Sequence, residues 1–152
     1  MLLLKGQDAR GFVFYTRYST QKCVDLLANP QGALLFHWRE LNRQVRIEAQ
    51  LERVTRTESE AYFATRPRLS QLSARAASGL GKVSNAELLE ARVQAESERW
   101  RDQAVPMPDD WGGFRALPRR IEFWQGRPNR LHDRLVYERA PDGSWSRFRL
   151  AP

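Results

Sequence analysis

The sequence predicts a mainly-β domain of the α+β class, in which an antiparallel sheet or barrel carries peripheral helices. Several segments are rich in β-branched and aromatic residues, or alternate between apolar and polar residues as half-buried strands do. These segments follow one another as sequential hairpins and outnumber the helical segments. The chain of 152 residues has the length of one domain, which we expect to span residues 1–152.

The first half of the chain is predicted to contain three strands and a short helix. Residues 11–16 are apolar and aromatic and predict a strand, after which Ser19 or Thr20 can cap a helix that ends at Asn29-Pro30. Two strands of a hairpin follow, at 32–38 and 43–54. The second of these has one apolar face, which is expected to be buried and consists of Val45, Ile47, Ala49 and Leu51.

Two capping boxes predict helices in the middle of the chain. The sequence TESE at 57–60 opens a helix that Pro67 stops, and SNAE at 84–87 opens a longer helix to about Arg101. Residues 73–82 are expected to form a loop or a short helix, and VPMPDDWGGF at 105–114 is expected to be irregular. Three further strands are predicted, at 120–126, 134–139 and 144–150, and a Pro-Asp-Gly turn joins the last two.

Composition narrows the classes of function. The net charge is +7, but all except three of the 25 basic residues are arginines spread along the chain, several of them alternating with glutamate. This pattern is typical of a solvated sheet face, so we expect no nucleic-acid partner. No apolar run approaches the roughly 20 residues of a membrane span, so we expect no membrane partner and a cytoplasmic location. The single cysteine, Cys23, excludes an internal disulfide.

Familiar catalytic motifs are absent. The sequence has no glycine-rich phosphate loop and no HExxH, and only two histidines, His37 and His132. A serine triad is therefore implausible, and we expect no metal site. Basic, hydroxyl and aromatic side chains at scattered positions remain, and these suit a ligand that combines a phosphate with a flat ring.

Several segments along the chain are long and unusual in composition: LLLKGQDARGFVFYT, FHWRELNRQVRIEAQLERV, YFATRPRLSQLSA and WGGFRALPRRIEFWQGRPNRLHDRLVYER, followed by the terminal RLAP. In these segments the sequence resembles the pyridoxine (pyridoxamine) 5′-phosphate oxidase family, from Met1 to Pro152. The resemblance implies a split β-barrel of the FMN-binding type that forms a homodimer with FMN at the subunit interface. It also implies oxidation of pyridoxamine or pyridoxine 5′-phosphate to pyridoxal 5′-phosphate, with O2 reoxidising the flavin.

The resemblance further implies roles for individual residues. The residues expected to bind the cofactor are Lys5, Tyr15, Thr16, Gln21, Lys22, Gln44, Trp124 and Arg134. The residues expected to bind the substrate are Lys5, Tyr62, Arg66, Ser70, Arg130 and His132. Among these, Tyr62, Arg66 and Ser70 would clamp the substrate phosphate. Arg130 and His132 would flank the pyridine ring and are the catalytic candidates.

The residue types agree with these roles. A phosphate dianion is best bound by arginine, lysine and hydroxyl donors, because hydrogen bonds to charged groups are the strong ones. Arg66 and Ser70 share a helix face if the helix persists across Pro67, and otherwise a turn brings them together. Hydride transfer to a flavin requires orientation and stacking and no nucleophile. Arg130, His132 and Arg134 are expected to alternate on one strand and so to face the same side.

The sequence departs from the family pattern at three places. Gln21 stands where the family commonly has arginine, and Gly79-Leu80 stands where it typically has Gln-Ser near the flavin. The chain also begins after the early strands of the family and after an arginine that helps to bind the FMN phosphate. We therefore expect loose FMN binding or poor dimerisation. Two alternatives stay open: a sister flavin oxidase of another ring, such as a phenazine precursor, and a non-catalytic or incomplete flavin-binding barrel.

Overall fold

The computed structural model describes all residues from Met1 to Pro152. It contains seven strands, four α-helices and one 3-10 turn. Their bounds are β1 Gly6–Asp8, β2 Gly11–Arg17, α1 Gln21–Ala28, β3 Gln31–Trp38, β4 Arg43–Arg53, α2 Arg56–Thr65, α3 Arg68–Ala76, α4 Ala86–Arg99, β5 Trp111–Gln125, the 3-10 turn Pro128–Arg130, β6 Asp133–Arg139 and β7 Trp145–Arg149. None of the helices has the length and hydropathy needed to cross a membrane.

All seven strands belong to one antiparallel sheet, and β5 organises it. The order is β1-β2-β5-β4-β3, with β6 beside β5 and β7 beside β6. Along one edge, β5 pairs with β4 over almost its whole length. Along its other edge it pairs first with β2 and then, after a gap, with β6. The sheet splits at this gap, where Pro118 lacks the N–H that a ladder needs and the register with β4 shifts.

Two buried clusters hold the helices against the sheet. The first packs Cys23 of α1 onto the apolar faces of β2, β4 and β5, and its centre is Phe14, Ile47 and Phe114. The second joins α2 and α3 to the beginning of β5 through Phe63, Leu72 and Trp111. The alternation predicted for β4 is confirmed, since Ile47, Ala49 and Leu51 are buried. The predicted mainly-β class with peripheral helices is confirmed as well.

Several local predictions were wrong. Residues 111–114 are not irregular but begin β5, because β2 pairs with them from Trp111 onward despite two adjacent glycines. The capping box of α2 is formed by Thr55 and Glu58, two residues earlier than predicted. Helix α4 is capped by Asn85 alone, whose side chain accepts from the backbone N–H of Leu88.

Candidate functional site

Three aromatic rings form a stack where β2 and the beginning of β5 lie beside α2. The rings of Tyr15 and Tyr62 are 4.1 Å apart between centroids, and Tyr15 is 5.4 Å from Trp111. The three planes are nearly parallel. Gly113 makes room for this arrangement, because a Cβ at that position would lie 2.7 Å from the Tyr15 ring. Burial raises the pKa of the Tyr15 hydroxyl, so the hydroxyl stays protonated as a donor.

An arginine without an acidic partner lies over this stack. The guanidinium carbon of Arg66 is 4.9 Å from the centroid of Trp111 and 5.3 Å from that of Phe63. Its Nη1 is buried and makes no hydrogen bond. Burial lowers the pKa of Arg66, and the interaction with Tyr62 opposes that shift. A half-buried cation with an unpartnered nitrogen and no carboxylate partner is costly, and an anionic ligand would relieve that cost.

Arg66 and Ser70 line a common cavity of about 540 Å³ beside α3. Helix α2 ends at Thr65 and α3 begins at Arg68, so the helix does not persist across Pro67. The turn at Pro67 nevertheless brings the two side chains to one cavity, as the second of the two sequence alternatives required. The aromatic stack, Arg66 and Ser70 are called the Trp111 cluster from here on.

Lys22 forms a second cationic point near the end of β2. Its Nζ lies 3.2 Å from Oγ1 of Thr16 and 3.1 Å from Oγ1 of Thr20. No carboxylate pairs with it, so the ammonium keeps its charge available to an anion, and two hydroxyls lie beside it. Lys22 also lines a groove of about 570 Å³ that is otherwise mostly apolar and runs beneath the N-terminal segment.

The opposite end of β5 holds another group of predicted site residues. Trp124 pairs with Gln44 of β4 on one side and with Arg134 of β6 on the other. Residues that are paired directly across neighbouring strands point to the same face of a sheet, so the three side chains form a row. They line a cavity of about 240 Å³ together with His132 and Glu122. These five residues are called the Trp124 cluster.

Hydrogen bonds fix the two basic residues of the Trp124 cluster. Arg134 binds Glu122 through two bonds, Nε to Oε1 at 2.7 Å and Nη2 to Oε2 at 3.1 Å. These bonds lower the pKa of Glu122 and raise that of Arg134, which keeps both groups charged. The ring of His132 lies 4.8 Å from that of Trp124. Its Nδ1 accepts from the backbone N–H of Arg127, which leaves Nε2 to carry the proton of the neutral ring.

Three predicted site residues stand apart from these clusters. Lys5 is exposed just before β1, and its side chain makes no hydrogen bond or ion pair. Gln21 donates to Asp25 on its own helix at 2.8 Å. Arg130 was expected on a strand with His132 and Arg134, and that prediction was wrong. It lies in the 3-10 turn with φ of 60°, because Pro128 and Asn129 interrupt the chain before β6 begins.

Two residues of the clusters were not identified from the sequence. Trp111 lay in a segment interpreted as irregular, although an aromatic followed by two glycines is a signal of close packing against a neighbouring strand. Glu122 had no distinguishing motif. Its contact with Arg134 depends on the register of β5 against β6, in which the two residues are diagonal neighbours.

The two clusters lie at opposite ends of β5. Trp111 and Trp124 are its first and its penultimate residue. A strand rises about 3.3 Å per residue, so this interval corresponds to roughly 40 Å of extended chain. The cavities of the two clusters share no lining residue. One chain therefore presents two separate candidate sites.

Family models match nearly the whole chain. The model described as pyridoxamine 5′-phosphate oxidase matches residues 1–104. The model described as the pyridoxine 5′-phosphate oxidase C-terminal dimerisation region matches residues 111–152. The Trp124 cluster lies in the second matched region, apart from Gln44, and most of the Trp111 cluster lies in the first.

Several curated relatives are similar over the full chain. The sequence is 53% identical to pyridoxine/pyridoxamine 5′-phosphate oxidase 1 of Ralstonia nicotianae, covering 100% of this chain and 71% of the relative. It is 54% identical to the pyridoxine/pyridoxamine 5′-phosphate oxidase of Rubrobacter xylanophilus, covering 99% of this chain and 69% of the relative. The relatives are thus longer than the chain described here.

Two solved structures share the fold. PhzG from Burkholderia lata, in complex with tetrahydrophenazine-1-carboxylic acid, superposes with a TM-score of 0.91 at 26% identity, over 99% of this chain and 73% of that one. An FMN-binding protein from Nostoc punctiforme, related to pyridoxamine 5′-phosphate oxidase, gives 0.77 at 13% identity, over 99% of this chain and 79% of that one. The fold is the split β-barrel that the resemblance implied.

Proposed function

The chain belongs to the pyridoxamine 5′-phosphate oxidase family, and from that premise we propose that it oxidises pyridoxamine or pyridoxine 5′-phosphate to pyridoxal 5′-phosphate, a step of vitamin B6 salvage. O2 is the electron acceptor. The observation that carries this proposal is Arg66, a half-buried arginine on an aromatic surface that no carboxylate neutralises and that shares a cavity with Ser70. Such a site suits the phosphate of a substrate better than it suits an uncharged group.

FMN is the cofactor of this family, as predicted, and the chain offers groups that fit it. Lys22 with the Thr16 and Thr20 hydroxyls suits a phosphate, since each of the two hydroxyls lies within hydrogen-bond distance of the Lys22 ammonium. The row of Gln44, Trp124 and Arg134 suits the edge and face of a flat ring. Two positions fit less well. Gln21 is turned toward Asp25, and the side chains of Gly79 and Leu80 offer no hydrogen bonds.

The residues of the chain would bind and orient the substrate, and the bound flavin supplies the hydride acceptor that O2 later reoxidises. Arg66 and Ser70 hold the substrate phosphate. His132 stands against Trp124 with Nε2 as a donor, so it can bind a polar substituent of the pyridine ring. Neither role requires a nucleophile. Orientation of the reacting carbon is the contribution expected from the protein.

A homodimer would join these two candidate sites, each of which would then be one half-site of an active centre. The C-terminal region that matches the dimerisation model carries a partly exposed apolar patch of Ile121, Phe123, Leu135, Tyr137 and Trp145. Such patches commonly mark interfaces. We propose that the Trp111 cluster of one subunit and the Trp124 cluster of the partner subunit form one active site at this interface. The predicted cytoplasmic location stays a prediction.

Flavin and substrate assays test the proposal directly. Flavin-free protein is titrated with FMN and with riboflavin, and FMN-loaded protein is given pyridoxamine 5′-phosphate while hydrogen peroxide and the aldehyde are measured. We expect tighter binding of FMN than of riboflavin, because riboflavin lacks the phosphate. Equal affinities would contradict the phosphate assignment, and FMN binding without turnover would favour the non-catalytic barrel.

Mixed dimers test the shared site. Arg66→Ala and His132→Ala each disable one half-site, and both homodimers are expected to be weak. If each active site takes one half from each subunit, a mixed dimer contains one intact site and recovers activity. No recovery after subunit exchange would place both half-sites of an active centre in one chain.

One second function has an observation in its favour. PhzG superposes closely and was solved with a carboxylic acid of a tricyclic ring. A sister oxidase of such a ring would bind a carboxylate instead of a phosphate ester. Turnover of a dihydrophenazine carboxylate that exceeds turnover of pyridoxamine 5′-phosphate would favour this alternative.

A further inference from the structure

A second arginine, Arg17 at the end of β2, lines the cavity that contains Arg66 and Ser70. Like Arg66, it forms no ion pair with a carboxylate anywhere in the chain. The side chain of Arg17 is half-buried, so it is neither a free surface arginine nor a core residue. Two unpaired cations therefore face one cavity of about 540 Å³.

Backbone carbonyls hold Arg17 in place. Its Nη1 donates to the carbonyl oxygens of Ala77 and Leu80, in the loop that follows α3. Its Nε and Nη2 make no hydrogen bond in the chain. A guanidinium carries five N–H donors, so anchoring one nitrogen on neutral carbonyls leaves the positive charge and several donors available. Anchored arginines lose little freedom when they bind a ligand, which favours affinity.

The loop that anchors Arg17 is itself held by Asp110. The Asp110 carboxylate accepts from the Ser78 hydroxyl at 2.7 Å and from the Gly79 backbone N–H at 3.3 Å. It also accepts from the hydroxyl of Ser19 at 3.3 Å, close to the end of β2. Asp110 therefore ties the loop to the turn that follows Arg17. The Asp110 carboxylate accepts hydrogen bonds from these neutral donors and does not pair with Arg17.

We propose that Arg17 is a second substrate-phosphate ligand, which acts with Arg66 and Ser70 and selects a phosphate dianion over a carboxylate. The inference rests on the proposed function and deepens it. A phosphate monoester carries nearly two charges above its second pKa of about 6, whereas a carboxylate carries one. Two unpaired arginines match the phosphate dianion in charge, and their N–H donors suit its larger number of acceptor oxygens.

The test compares Arg17→Met with the matched control Arg53→Met. The guanidinium carbon of Arg53 lies 4.1 Å from the centroid of the Tyr18 ring, and Arg53 does not line the cavity. Arg53→Met therefore removes the same charge close to the same turn without changing the cavity. Arg17→Met should raise KM for pyridoxamine 5′-phosphate about tenfold or more, with a smaller change in kcat. The FMN affinity of both variants should match that of the original chain. The KM of Arg17→Lys should lie between those of the original chain and Arg17→Met, because lysine keeps the charge but lacks the planar guanidinium that can donate two parallel hydrogen bonds.

A direct binding measurement adds a readout that does not depend on turnover. Affinity of the FMN-loaded protein for the product, pyridoxal 5′-phosphate, is measured at pH 5.5 and pH 8, across the second phosphate pKa. The original chain should gain affinity on that ionisation, and Arg17→Met should lose part of the gain.

The outcomes distinguish a failure of the role proposed for Arg17 from a failure of the proposed function. If the original chain binds FMN and oxidises the phosphorylated substrate but Arg17→Met matches Arg53→Met in KM and in the pH effect, the role of Arg17 is wrong and the proposed function stands. If the original chain does not turn over phosphorylated substrate, the proposed function fails on its own. Melting temperatures separate a misfolded Arg17→Met from a folded one, and Arg17→Lys then carries the test.

Discussion

The two proposed half-sites differ in whether their arginine has a charged partner. In the Trp111 cluster, Arg66 lies on aromatic rings without a carboxylate, and one of its nitrogens has no partner. In the Trp124 cluster, Arg134 is bound through two hydrogen bonds to Glu122 and is nearly neutralised as a pair. The first arrangement is costly in the empty protein and is relieved by an anion. The second is already satisfied.

From this difference we infer which part of a ligand each of the proposed half-sites would receive. A cation without a partner attracts charge, so the Trp111 cluster suits a phosphate. An arginine that is bound to a carboxylate offers direction more than charge, because its orientation is fixed while its field is cancelled nearby. The Trp124 cluster, with its aromatic ring and the Gln44 amide, suits the polar edge and the face of a ring. The following predictions test this division.

The largest effect is expected at Arg66. Arg66→Ala removes a charge-assisted contact worth roughly 1.5–3 kcal/mol, which is about 10- to 100-fold in affinity. KM for pyridoxamine 5′-phosphate should rise by that factor, while the FMN content stays constant. Arg39→Ala, at an exposed turn residue, serves as the control for loss of charge. An unchanged KM in Arg66→Ala would show that the Trp111 cluster does not bind the substrate phosphate.

A smaller effect on a different parameter is expected at His132. His132→Ala should lower kcat at saturating substrate by about tenfold, because the residue is proposed to orient the ring and not to bind the phosphate. Arg130→Ala should have a weaker effect, since Arg130 lies in an exposed turn and does not line the cavity of the Trp124 cluster. Steady-state kinetics on both variants provide the comparison. An effect of His132→Ala on KM alone would contradict the division between the half-sites.

How much of this site the sequence could predict depends on whether a feature is local. The alternation in β4 is local, so the sequence placed Ile47 and Ala49 correctly on the buried face. The roles of Gln44, Trp124 and Arg134 were implied by resemblance, and the structure adds that they form one row. That row depends on the register of three strands, which no single segment contains.

The wrong predictions have physical reasons of the same kind. The segment that begins with Trp111 has two glycines, which favour irregular structure locally, and pairing with β2 overrides that preference. Arg130 was assigned to a strand from its spacing to His132, but Pro128 and Asn129 turn the chain there. Local chemistry decided the second case, and tertiary pairing decided the first.

A modest effect on stability is expected from the ion pair of the Trp124 cluster. Glu122→Gln keeps the shape and removes the charge, so Arg134 loses its charged partner. The pair is partly exposed, with side-chain exposures of 13% for Glu122 and 30% for Arg134, so we expect a loss of about 1 kcal/mol. For a chain of this size that corresponds to roughly 2–4 °C in melting temperature. A similar loss in Glu60→Gln, which breaks an exposed pair with Arg56, would show that no special role belongs to Glu122.

The smallest effect should appear in the dependence of stability on pH, and it should differ between the half-sites. Glu122 has an ordinary pKa of 4.5, and the hydrogen bonds from Arg134 lower it in the folded protein. A carboxyl group whose pKa falls on folding stabilises the protein above its ordinary pKa and loses that contribution as pH drops through the folded pKa. Stability should therefore decline below about pH 4.5, and the decline should be shallower in Glu122→Gln.

The Trp111 cluster should contribute no such decline. Burial lowers the pKa of Arg66, but arginine remains protonated throughout the acid range, so its charge does not change there. Other carboxyl groups with lowered pKa values, such as Glu58 and Glu96, add to the acid decline of the whole protein. The informative quantity is therefore the difference between melting curves of the original chain and Glu122→Gln from pH 3 to pH 7. Parallel curves would mean that Glu122 titrates alike in folded and unfolded protein, and the contrast between the two arginines would lose its electrostatic basis.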